Sequence, residues 1–182
     1  MRTDARVRYT KMVIRKALIE SIKRKENIDS VTVTEVCNIA DINRATFYKH
    51  YKDCKAALAE YEDAEVQEFK NILENSENVF SRDLMEKVID LCDKYADINK
   101  ICVNGYTDGR LKDKMLEVAH DHCIDVWREN LPNGRETEIE ILFSAVAATF
   151  LQLVITERDR FTKDDILSFM HKAVAAEIQQ FM

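Results

Sequence analysis

Glycine and proline are scarce in this chain, three and one in 182 residues, where average usage predicts roughly 13 and 9. So few backbone breakers exclude collagen-like and proline-rich chains and argue against a turn-rich all-β fold. Long helices joined by short loops are expected, an all-α fold. The glycines are Gly105, Gly109 and Gly134, so no glycine-rich phosphate loop is present. No unbroken apolar run of about eighteen residues occurs, and no transmembrane helix is expected. The opening residues, Met1-Arg2-Thr3-Asp4, lack the apolar stretch of a signal peptide, which predicts a cytoplasmic protein. Disulfide frameworks are also missing. The five cysteines (Cys37, Cys54, Cys92, Cys102, Cys123) are odd in number and scattered, as suits buried free thiols in a reducing compartment. No paired-carboxylate or Ser/His arrangement stands out, so neither enzymatic activity nor a cofactor is expected. In His120-Asp121-His122-Cys123, helical spacing puts His120 and Cys123 on one face. A zinc site would need two further ligands, and no CxxC spacing supplies them.

What is present is charge of both signs, unevenly placed. The net charge is −6. Residues 1–55 carry thirteen Lys/Arg against seven acids, a net of +6, which leaves −12 for the other 127. A basic head on an acidic body points to a polyanion met by the head alone. Arg8, Lys11 and Arg15 are expected on a solvated helix face that attracts such a partner at long range.

Apolar side chains at helical spacing (Met12, Ile14, Ala17, Leu18, Ile22) predict a first helix over 8–24. Thr34 can cap a second helix, Glu35 to Ala40, with Val36, Ile39 and Ala40 turned inward. Asn43 caps a third, from Arg44 to about His50. Asp53 caps a long fourth to about Asn75, carrying Ala57, Leu58, Tyr61, Val66, Phe69 and Leu73. Further helices are expected at 82–95, 98–104, 110–130, 135–157 and 163–181. Thr162 and Asp165 resemble a capping box that opens the last. Residues 139–155 are apolar on nearly all sides and need cover all round. With the small-residue-rich helix that follows, they predict a homodimer through a four-helix bundle.

Residues 32–58 read as two short helices about a tight turn, with Ala40 at the crossing and Ile42 plugging the turn. This is a helix-turn-helix. Its second helix offers Arg44, Thr46, Tyr48 and Lys49, side chains suited to base edges and phosphates. Here the sequence resembles the TetR family of one-component transcriptional regulators. The residues that carry the likeness are Thr32, Val36, Ala40, Ile42, the string Thr46-Phe47-Tyr48-Lys49-His50-Tyr51, and Leu58. It covers about residues 8–60. Three positions depart from the family pattern: Asp41 stands where the turn normally holds glycine, Ala45 is a change of little consequence at the small-residue position that starts the recognition helix, and Cys54 stands where a phosphate-contacting lysine is common.

The resemblance implies a three-helix DNA-binding head over residues 1–52 and a helical ligand-binding and dimerisation body over 53–182. It implies a DNA-facing set of Thr34, Asn43, Arg44, Thr46, Tyr48, Lys49 and Lys52, with Arg44 as the guanine reader and Phe47 and Tyr51 as core. The partner would be a palindromic operator in double-stranded DNA. The function would be that of a dimeric repressor released by a small apolar or aromatic effector, with the fourth helix as lever. Candidate effector contacts are Leu91, Tyr95, Cys102, Tyr106, Met115, His122, Trp127 and Phe143. An activator or coactivator, or a relative that works through protein partners with little operator binding, fits the same residues.

Overall fold

The computed structural model describes residues 2–131 and 133–181, and the side chains of 5–131 and 133–176. Among the described residues there are nine α-helices and no strand. They are α1 (Arg2–Lys25), α2 (Val33–Ala40), α3 (Arg44–Tyr48), α4 (Cys54–Glu74), α5 (Arg82–Lys94), α6 (Ala96–Val103), α7 (Arg110–Asn130), α8 (Glu136–Ile155) and α9 (Lys163–Phe181), with a 3-10 turn at Ile28–Ser30.

Helix starts follow side-chain capping chemistry. Asp53 Oδ1 accepts from the Ala56 N–H at 2.7 Å, and Ser81 Oγ accepts from Leu84 N–H at 3.1 Å. At α9, Thr162 Oγ1 accepts from Asp165 N–H at 3.1 Å, and Asp165 Oδ2 accepts from Thr162 N–H at 3.0 Å. That is the expected capping box. One cap differs from expectation. Thr32, not Thr34, caps α2, accepting from Glu35 N–H at 3.3 Å. The Glu35 carboxylate is held by Arg24 and Lys25 at the end of α1, which fixes the start of α2 a residue or two earlier. The third helix is also shorter than expected, closing at Tyr48.

The chain divides into two compact units. The first holds the residues up to Ala64 together with Lys100–Gly109. The second runs from Glu65 to Asn99 and from Arg110 onward. Helices α4 and α6 each contribute residues to both.

In the first unit α1 packs on α2, and α2 on α3. Its core is Ile14, Leu18 and Ile22 from α1, Val36 from α2, Phe47 from α3, and Ala57 and Leu58 from α4, all buried. Ile19 joins this core, whereas Met12 is 43% exposed. The segment 104–109 closes back onto the start of the chain. Ile28 N–H donates to the Tyr106 carbonyl at 2.9 Å, and Tyr106 O–H donates to Glu26 Oε1 at 3.1 Å. Gly105 and Gly109, at φ 73° and 76°, supply the left-handed turns that this loop needs.

In the second unit α7 packs on α8, and α5 on α8 and α9. Arg158 donates to both oxygens of Asp93 at 3.0 Å, and Lys163 pairs with Asp90 at 2.6 Å. These solvated pairs set register more than stability.

Helix α8 is long and apolar enough to cross a membrane by length and composition, with a mean hydropathy of 1.8 over its best window. The sequence showed no such span because Ser144, Thr149 and Gln152 interrupt the run. Its face is far from fully covered by the chain itself. Ile141 is 65% exposed, as is Phe169 of α9 at 54%.

Two substitutions probe the first unit. Phe47→Ala should cost about 3–5 kcal/mol in urea denaturation, because a fully buried ring is lost. Asp41 sits at φ 51°, ψ 49°, so Asp41→Ala should cost about 1 kcal/mol and Asp41→Gly nothing.

Candidate nucleic-acid interface

The helix-turn-helix is built from α2, a left-handed turn and α3. Asp41 takes the left-handed conformation, and its N–H closes on the Cys37 carbonyl. A short polar side chain tolerates this geometry where a bulkier one would not. The Ile42 N–H donates to the same carbonyl at 3.0 Å. Asn43 then caps α3, its Oδ1 accepting from Thr46 N–H at 2.7 Å. The cap takes one lone pair of the Asn43 oxygen, and the side-chain amide N–H groups can donate outward.

Six of the seven residues assigned to DNA by resemblance are exposed: Thr34, Asn43, Arg44, Tyr48, Lys49 and Lys52. Thr46 is half-buried. Arg44 and Tyr48 lie one turn apart. The Arg44 guanidinium donates to the Tyr48 hydroxyl at 3.3 Å and stands 5.8 Å from its ring centroid. The aromatic face thus carries the guanidinium at the surface of α3.

The underside of α3 is locked. Tyr51 O–H donates to Glu60 Oε1 at 2.9 Å. Lys11 Nζ donates to both Glu60 oxygens at 2.8 and 2.9 Å. Tyr61 O–H donates to the Lys11 carbonyl at 2.6 Å. The Arg15 guanidinium lies 5.2 Å from the Tyr61 ring centroid. Lys11 and Arg15 are therefore parts of the packing rather than a solvated face. Burial pushes the Tyr61 phenol up to about 12, and burial with the Tyr61 hydroxyl and Glu60 pushes Tyr51 up as well. Both remain donors.

Cys54 is buried at the start of α4, and burial with the Asp53 charge pushes its thiol up to about 11. It offers no phosphate contact and no reactive thiolate.

The candidate effector contacts are dispersed. Trp127 and Phe143 line an apolar cavity of about 90 Å3 in the second unit, partly open to solvent. Leu91, Tyr95 and Met115 are buried in the second unit outside that lining, and His122 is half-buried there. Tyr95 donates to Glu68 Oε2 at 2.9 Å. Cys102 and Tyr106 belong to the first unit. The cavity draws on residues that the sequence pattern did not single out, among them Phe80, Met85, Phe150 and Met170. The apolar character of α8 on nearly all sides was the one signal for Phe150.

Among the described residues no group of three or more His, Cys, Asp or Glu could hold a metal ion. His120 instead places Nε2 2.9 Å from Glu140 Oε2. Cys123 is buried, which pushes its thiol up to about 11.

No family model matches this chain, and no curated protein matches it. Among solved structures, the chain is similar to a "putative transcriptional regulator from Pseudomonas aeruginosa PAO1". The TM-score is 0.62 at 16% identity, over 94% of this chain and 93% of that one. At that identity the likeness is one of fold. It extends over nearly the full length of both chains, not over the helix-turn-helix alone.

The buried thiols give a test. At pH 8, Cys54 and Cys123 should react with Ellman's reagent at least about 100-fold more slowly in the folded chain than in urea. Because their folded values are raised to about 11, their stabilising contribution is complete below about pH 8.5. It is lost as pH climbs through 11, which urea melts at pH 7, 9 and 10.5 would follow.

Proposed function

We propose that this chain is a dimeric DNA-binding transcriptional regulator of the TetR type. It acts as a repressor that a small molecule releases from its operator. The observation that carries the reading is α3: an exposed row of Arg44, Tyr48 and Lys49 backed by the buried Phe47 and Tyr51. A helix so short, held rigidly with its polar face outward, is a reading head for a DNA groove. The +6 charge of residues 1–55 supplies attraction to phosphates, and the acidic remainder opposes binding through any other face. The similar Pseudomonas aeruginosa protein, itself named as a regulator, supports the same class.

In this reading Arg44 contacts a guanine edge, while Tyr48, Lys49 and Lys52 hold the backbone, with Thr34, Asn43 and Thr46 at the margins. The dimer forms through α8 and α9, whose exposed Ile141 and Phe169 would be buried against a second copy. A charged substitution there separates dimer from membrane span. Ile141→Glu with Phe169→Glu should turn a sedimenting dimer into a soluble monomer without detergent. It should also weaken operator binding by more than about tenfold, since one half-site replaces two.

The DNA reading is tested by fluorescence anisotropy on the protein's own upstream region, against a scrambled duplex, with a salt titration. Selective binding that falls steeply with salt is expected. Arg44→Ala should cost about 1–3 kcal/mol and relax specificity. Weak binding that ignores sequence would overturn it.

A further inference from the structure

We infer that the cavity of the second unit is a binding site for a neutral aromatic molecule, and that it rejects the same ring skeleton when it carries an anionic group. The inference deepens the effector reading and rests on it for its regulatory meaning; the site itself is argued from the lining alone.

Five helices and the segment before α5 supply the lining, and its side chains are Phe, Leu, Val, Met, Ala, Cys and Trp only. By residue type, the indole N–H of Trp127 and the thiol of Cys123 are the sole side-chain hydrogen-bond donors among them. The thiol is neutral at ordinary pH, since burial raises it. An anion entering here would leave its water and find no counter-charge.

The polar groups behind Phe143 are engaged with each other. The His120 ring stands edge-on to Phe143 at 5.5 Å, but its Nε2 lies 2.9 Å from Glu140. Arg128 donates to the other oxygen of that carboxylate at 2.9 Å. This cluster closes on itself and does not lend a cation to the cavity.

The wall is suited to flat rings. Phe80 and Trp127 have centroids 5.3 Å apart with planes at 48°. Trp127 and Phe143 meet edge to face at 5.5 Å and 89°. Such a wall presents both ring faces and ring edges, the two geometries that aromatic pairs prefer. Met85 and Met170 add polarisable side chains that adapt to the outline of a guest. The cavity holds about 90 Å3 and is partly open to solvent, so a flat ring can enter with the rest of the guest at the mouth.

The chain carries its own reporter, because its single tryptophan, Trp127, is in the lining. The probes are N-phenyl-1-naphthylamine and 8-anilino-1-naphthalenesulfonate, which share a ring skeleton and differ by a sulfonate. With the full-length protein, the neutral amine should bind saturably, one per chain, and quench Trp127 by energy transfer. The sulfonate should bind at least about 100-fold more weakly. Ala147→Phe should abolish amine binding by filling the site, with circular dichroism and melting as checks on folding. Val146→Lys, at a half-buried position, should instead raise sulfonate affinity above that of the amine. Because the sulfonate also binds loosened chains, the gain counts for the inference when it saturates at one per chain and the variant keeps the circular dichroism and melting of the unaltered protein; a folded Val146→Lys chain with no such gain counts against it.

Equal or tighter binding of the sulfonate by the unaltered protein would overturn the inference. So would amine binding that survives Ala147→Phe in a folded chain, or the lack of saturable amine binding. Operator anisotropy on the same samples separates the two readings. Amine binding by a chain that holds no DNA supports the site and counts against the regulator.

Discussion

A five-residue helix has no stability of its own, because its nucleation cost exceeds what one or two hydrogen bonds return. Helix α3 exists because Phe47 and Tyr51 are buried beneath it. Tyr51 is then tied through Glu60 to Lys11, so α3, α1 and α4 form one polar-apolar lattice. The surface row of Arg44, Tyr48 and Lys49 inherits its rigidity from that lattice. Under the proposed DNA reading, that rigidity is what holds the three side chains to a fraction of an ångström, which a loop would not do.

Asp41 and Cys54, which depart from the pattern that the sequence resembles, each have a place in this packing. Asp41 adopts the left-handed turn that glycine would take more cheaply. Cys54, where a lysine is common, is buried and neutral. In that position it serves packing, and the neighbouring exposed Lys52 and Lys55 carry the positive charge at the start of α4.

Helix positions were legible in the sequence because apolar spacing and capping residues are local signals. Asp53, Asn43 and the Thr162–Asp165 pair each cap the helix that their spacing announces. Thr32 and Thr34 were not distinguishable, since the choice depends on where Arg24 and Lys25 hold Glu35. The motif residues of α3 were legible as a string, but their burial pattern depends on which face meets α1. The cavity was least legible. A phenylalanine on an amphipathic helix reads the same whether it meets another side chain or an empty space. Trp127 and Phe143 were anticipated and Phe80, Met85 and Met170 were not, although all five share one wall system. Tyr106 was assigned to a pocket by its aromatic character, and the structure spends it instead on Glu26 and Ile28.

The return of Lys100–Gly109 to the first unit has a consequence for modularity. The polypeptide passes from one unit to the other three times, at 64–65, 99–100 and 109–110. Neither unit is a contiguous cassette. A chimera that exchanges residues 1–64 by a single crossover would leave Ile28 and Glu26 facing a foreign loop in place of Tyr106.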